Sequence, residues 1–149
     1  FVYLTTVIDL ADRMVVGWNL SNNMTDEDTT IAAFKKAIKN RPILPGLIFH
    51  SDRGSQYASN DFRKLLEEEK CIQSMSRKGN CWDNAVAESF FKTIKVESLY
   101  RFKFENANEV YSAIFDYIDG WYNTQRIHSA LGGKSPREMA NFLAAKKVA

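Results

Sequence analysis

The chain has 149 residues, 45% of them hydrophobic and 26% charged, with a formal net charge of +2. This is ordinary globular composition at a length that suits one domain with a real core. So weak a charge excludes any case for a nucleic-acid partner that does not rest on local clusters.

In chain order, "FVYLTTVIDL" (1–10) is rich in β-branched and aromatic residues and reads as a strand, "ADR" as a turn and "MVVGWNL" (14–20) as a second strand, together an antiparallel hairpin. Residues 25–40 read as a helix, with Thr25 as N-cap, acids in the first turn and Ile31, Phe34 and Ile38 at helical spacing. "RPILPG" ends it. A strand at 47–50 follows, then a helix at 59–70 capped by Ser59 or Asn60, and a short strand at 71–76. "RKGNCW" (77–82) is a basic loop, and residues 83–99 read as a helix with Asp83 as N-cap. An aromatic helix is expected over 106–126, and a last helix over 135–149 with Ser135 as N-cap and Pro136 at its first position. This order of strands and helices predicts an α/β layer fold with a mixed sheet.

Cys71 and Cys81 form no CxxC, and with only His50 and His128 beside them they argue against a disulfide framework or a structural zinc site. No apolar run approaches the ~18 residues that a membrane helix needs, and no secretory signal is visible. A cytoplasmic protein without a membrane partner is expected. Phe1 in place of Met points to a piece of a longer protein.

The stretch "LIFHSDRGSQY" (47–57) ends an apolar run on a carboxylate, Asp52, beside Arg53 and Gly54. An Asp followed by Gly is an ordinary turn; a strand can also act as a rigid post that presents the acid to a metal or substrate. On the helix from Asp83, Val86, Phe90 and Ile94 mark a buried stripe, while Asn84, Glu88, Lys92 and Lys95 follow a different face. That face is either a solvated surface with a Glu88–Lys92 pair, or a metal-binding Glu88 among residues that hold phosphates. Asp52 and Glu88 have 35 residues between them. Hard divalent cations take one or two carboxylates plus phosphate and water, and a pair of ions can clamp both oxygens of a phosphodiester displacement.

Three stretches, "IFHSDRGSQYAS" (48–59), "MSRKGNCWDNAVAESFFKTIKVE" (75–97) and "YNTQRIHSALGGKSPREM" (122–139), together with "YLTTVIDLADRMVVGW" (3–18), resemble the catalytic core of bacterial insertion-sequence transposases (insertion-sequence family three), relatives of retroviral integrases. The resemblance covers nearly all of the chain. It implies a ribonuclease H-like fold and an Asp, Asp, Glu triad with 35 residues between the last two, onto which Asp52 and Glu88 map. It further implies Mg²⁺ or Mn²⁺, cleavage at DNA 3′ ends and strand transfer. Asn84, Lys92 and Lys95 match positions that approach DNA in related integrases; Arg53, Arg77 and Lys78 are further candidate DNA contacts. The partners implied are DNA and further copies of the chain, a dimer being the expectation.

The first Asp of the family's triad lies on a strand before "FVYL" and has no match here. Asp9 and Asp12 read as hairpin residues. The expectation is one integrase-type core over 1–149, N-terminally truncated, with 100–149 as its C-terminal helical part. The isolated chain is expected to be inactive, and its sheet, lacking the family's central first strand, to leave edges open. The rival readings are a ribonuclease H-like or resolvase-like nuclease without strand transfer, and a non-catalytic DNA-binding or assembly module. His50 reads as a core residue or one supporting the site, and Trp82 as a core anchor. Tyr111, Phe115, Tyr117, Trp121 and Tyr122 read as core or dimer surface, and Arg126, His128, Lys134 and Arg137 as a basic C-terminal motif.

Overall fold

The computed structural model describes residues 1–148, Cys81 by its backbone alone. The elements follow the sequence closely: β1 (Tyr3–Ile8), β2 (Val15–Ser21), α1 (Ala32–Asn40), β3 (Ile48–Ser51), α2 (Asn60–Glu68), β4 (Ile72–Met75), α3 (Ala85–Glu97), α4 (Ala107–Tyr117) and α5 (Pro136–Val148). The helix expected at 135–149 is seen to Val148; Ala149 lies outside the described residues.

The helix starts show why the boundaries fall there. Thr25 accepts the Asp28 N–H at 3.2 Å, and a π-helical turn over Glu27–Ile31 leads into α1. Ser59 accepts the Phe62 N–H at 3.1 Å, which settles the choice between Ser59 and Asn60. Ser135 and Glu138 each accept the other's backbone N–H, a reciprocal capping box. One expected cap is corrected. Asp83 does not open α3, because its carboxylate is drawn to Arg77; Asn80 instead caps a 3₁₀ turn over Cys81–Asn84. The helix expected over 106–126 is also shorter. It is capped by Asn106, and after Tyr117 it widens into a π-helical turn over Ile118–Tyr122 that contains Gly120, a poor helix former.

The expected mixed sheet takes the form of two separate two-stranded ladders, β1–β2 and β3–β4. The six-residue connection between β1 and β2 permits only an antiparallel pair. β3 and β4 run parallel in the register Ile48↔Ile72 to Ser51↔Met75, with α2 as their crossover. No ladder joins the two pairs among the described strands.

The chain gathers into two compact units. The first comprises residues 1–7 and 16–88. Its core is Ile31, Phe34, Phe62 and Leu66, with Phe49 and Tyr57 packed against it. Phe49 stands edge-on to Phe34 at 5.4 Å and to Phe62 at 5.2 Å, a geometry that adds to area burial. α1 lies so close to β2 that a Cβ on Gly17 would meet the Ala33 carbonyl oxygen at 2.5 Å and the Ala37 nitrogen at 2.6 Å. Only glycine fits there.

The second unit comprises residues 8–15 and those from Ser89 onward. Phe90, Ile94, Ile114, Tyr117, Ile118, Tyr122 and Leu131 are buried in it. Asn123 donates to the Val15 carbonyl at 3.0 Å and accepts the Val15 N–H at 2.9 Å, so one side chain pairs with the backbone as a neighbouring strand would. Arg126 holds Glu97 through Nε and Nη2, and Tyr117 Oη donates to the same carboxylate at 2.5 Å. The expected aromatic set divides: Tyr117 and Tyr122 are core, whereas Tyr111, Phe115 and Trp121 are about half exposed.

Candidate active site

β3 ends at Ser51, and Asp52 is the next residue. Both flanks of this segment are anchored in apolar packing, since Phe49 and Tyr57 are in the core of the first unit. The turn between them leaves Asp52 exposed. Its Oδ1 accepts the Gly54 N–H at 2.7 Å, an Asx turn. A Cβ at Gly54 would stand 2.9 Å from that oxygen and 3.0 Å from Gln56 Oε1. Oδ2 has no hydrogen-bond partner among the described residues. Tyr57, partly buried and near the Asp52 charge, has its phenol pushed up to about 12, chiefly by desolvation.

The strand end is joined to its neighbour. His50 reaches Ser74 Oγ at 2.9 Å and Ser76 Oγ at 3.2 Å, so both ring nitrogens are engaged. The Ser76 N–H donates to the Ser51 carbonyl at 2.8 Å. His50 therefore acts as a rung between β3 and β4.

Glu88 lies on the first turn of α3, exposed, with Lys92 and Lys95 one and two turns on, also exposed. The surface pair Glu88–Lys92 is not formed: among the described residues neither Asp52 nor Glu88 has a cationic partner. Two carboxylates, one on a strand end and one on a helix, thus stand open to solvent in the first unit, to which Asn84, Arg53, Arg77 and Lys78 also belong. Lys92 and Lys95 group with the second unit while sharing α3 with Glu88. No cluster of three His, Cys, Asp or Glu suited to a metal occurs among the described residues.

Comparison with known proteins identifies the family. Residues 1–81, which include Asp52, match a family model described as Integrase core domain, and residues 69–136, which include Glu88, match a second model of the same description. The chain belongs to the integrase core family.

This integrase core is 42% identical over 141 residues to the transposase of insertion sequence IS904 from Lactococcus lactis, covering 95% of the chain and 55% of that protein. It is 40% identical over 141 residues to the transposase InsF of IS3A from Escherichia coli, covering 95% and 49%. The chain thus spans about half the length of these curated relatives. Among solved structures, the catalytic core of bovine immunodeficiency virus (BIV) integrase superposes with a TM-score of 0.70 at 16% identity, over 98% of this chain and 90% of that one. The HTLV-2 integrase core in complex with magnesium, in a trimeric form, superposes with a TM-score of 0.64 at 17% identity, over 93% and 91%. The fold is therefore that of retroviral integrase catalytic cores, which is ribonuclease H-like.

Two further residues of this integrase core have surroundings that the sequence does not indicate. Arg77 gives its Nε and Nη2 to the two oxygens of Asp83, both at 2.9 Å, and its backbone N–H donates to Asp83 as well. The guanidinium hydrogen bond is the main cause that holds Asp83 down at about 2. Trp82, expected in the core, is 82% exposed. Successive residues of a 3₁₀ turn point roughly 120° apart. Asp83 takes the inward direction, with only 19% of its side chain exposed, and Trp82 is turned away. The signal available in the sequence for this clamp is an Arg six residues before an Asp.

Proposed function

We propose that this chain is the catalytic core of a transposase, acting in metal-dependent DNA 3′-end cleavage and strand transfer, with Asp52 and Glu88 as its catalytic and metal-binding carboxylates. The observation that carries the reading is that both acids are exposed and free of cationic partners, within an integrase core. Unpaired carboxylates with open oxygens fit a hard divalent ion, Mg²⁺ or Mn²⁺, which takes one or two carboxylates and completes its shell with water and phosphate. Such an ion supplies Lewis-acid stabilisation of the phosphoryl oxygens. The chain's part is positioning: the Asx turn and the His50 rung hold Asp52, and α3 holds Glu88. Asn84, Lys92 and Lys95, on the helix that carries Glu88 or just before it, together with Arg53 and Lys78, serve as phosphate contacts. Arg77 belongs with them only when released from Asp83. Further copies of the chain, most simply as a dimer, bring DNA ends together.

The test has two parts. Free Mn²⁺ is followed by electron paramagnetic resonance as the chain is added; Asp52→Asn and Glu88→Gln each weaken binding at least about tenfold while the fold is unchanged. In the full product of its gene, each substitution abolishes the joining of 3′-hydroxyl ends to target DNA. Hydrolysis without joined products points to a nuclease, and DNA binding with neither activity points to an assembly module. Unaltered Mn²⁺ binding in both variants would overturn the assignment. No helix among the described residues is long and apolar enough to cross a membrane.

A further inference from the structure

The last segment carries a basic site that the catalytic reading does not use. Lys134 and Lys146 both bring their ammonium groups to one aromatic ring, that of Phe142, at 4.9 and 4.5 Å from its centroid. They approach from opposite directions along the chain. Lys146 is one turn C-terminal to Phe142, and Lys134 precedes the helix, toward whose N-terminus a helical side chain leans. The base of Lys134 is fixed, since its carbonyl accepts the His128 N–H at 3.0 Å in an isolated antiparallel bridge.

Both ammoniums are attracted by the ring, and being held at the same ring they repel each other. Neither has a carboxylate partner among the described residues. The one acid of residues 134–148, Glu138, accepts the Ser135 N–H at the helix cap. That stretch has four basic residues and one acid, a net +3, whereas the whole chain is +2, so the remainder is slightly acidic. The positive excess of the protein is concentrated here. Phe142, Lys146 and Lys147 are exposed, so the site is open to a ligand, and the ring already restrains the two lysines whose ordering a ligand would otherwise have to supply.

We propose that Lys134, Phe142 and Lys146, joined by Lys147, form a contact for the phosphate backbone of duplex DNA, separate from the catalytic carboxylates. An anion between the two ammoniums relieves their repulsion, and a polyanion with regularly spaced charge also engages Lys147. This inference rests on the reading of the chain as a DNA-acting core.

The test is binding of a fluorescein-labelled duplex by the chain, measured by anisotropy between roughly 50 and 200 mM salt. Each lost phosphate contact reduces the slope of log K against log salt by about 0.9. The Lys134→Ala/Lys146→Ala variant is expected to lose about 1.8 from the slope and to bind more weakly, while the Arg pair at both positions retains binding. Phe142→Leu is expected to weaken binding with both charges kept. Circular dichroism establishes that each variant is folded. An unchanged slope in the folded double-Ala variant overturns the proposal. So does polyglutamate displacing the duplex at lower charge concentration than DNA itself, which would assign the site to an acidic protein. If the slope is unchanged while strand joining by the full gene product persists and still depends on Asp52, only this inference fails; if joining is absent as well, the catalytic reading fails with it.

Discussion

At the scale of single residues, Asp52 answers both readings that the sequence left open. One of its oxygens closes an Asx turn onto Gly54, as a plain turn residue would. The other has no partner among the described residues, as an acid presented to a metal would. A sequence shows that an Asp and a Gly are two apart, but not how the two carboxylate oxygens are shared, because that depends on the path of the backbone. Gly54 matters here for space, and its φ is not in the left-handed region. Gly54→Ala would bring a Cβ within 2.9 Å of Oδ1 and 3.0 Å of Gln56 Oε1, so the carboxylate must move. The expected result is a chain that melts near the wild-type temperature but binds Mn²⁺ about tenfold more weakly, as when a group supporting a metal ligand is lost. Thermal unfolding and Mn²⁺ titration on the same sample check this.

At the scale of elements, the link between the two carboxylates is the part least legible in the sequence. The sequence indicates a basic loop over residues 77–82 and a helix cap at Asp83. In the folded chain β4 is tied to β3 beside Asp52, by the Ser76 N–H on the Ser51 carbonyl, and the loop that follows is closed by Arg77 on Asp83. The route from Asp52 to Glu88 thus runs through a ladder and a clamp before α3 starts. Replacing Arg77 by Leu is expected to speed amide hydrogen exchange across residues 77–84 and leave α2 protected. The clamp's pH dependence follows from its depressed carboxylate. Asp83 titrates at about 2, below the usual Asp value of about 3.9, so its contribution is complete above that value and is lost as pH falls toward 2. Loop exchange, corrected for intrinsic rates, is therefore expected to show equal protection at pH 5 and pH 7 and a loss below about pH 3. Equal protection in the Leu variant would show that the clamp does not hold the loop.

At the scale of the whole molecule, the second unit is held by a polar cluster as well as by its aromatic core. Glu97 accepts from Arg126 and Tyr117, and the Arg126 hydrogen bonds are the main cause that lowers its pKa. A lowered carboxylate stabilises fully above its unfolded value, about 4.3 for Glu, and loses that contribution as pH falls through the folded value. Glu97→Gln is expected to cost about 1.5–3 kcal/mol at pH 7, the range for hydrogen bonds to charged groups. The gap from wild type should close as pH drops below about 4; urea unfolding from pH 7 to 3 measures it. The sequence by itself determined the order of strands and helices, the Ser135 cap, the α/β class, the family and the two candidate carboxylates. These rest on local periodicity, on capping chemistry within three or four residues, and on motifs contiguous in the chain. Only the tertiary structure decided that the strands form two separate ladders, that Arg77 is held by Asp83, that Trp82 faces solvent, that Glu97 meets Arg126, and that two lysines share the Phe142 ring. Each of these depends on groups brought together by packing or by a loop's path, and hydrophobic pattern carries no information about which polar partners that path will bring within reach.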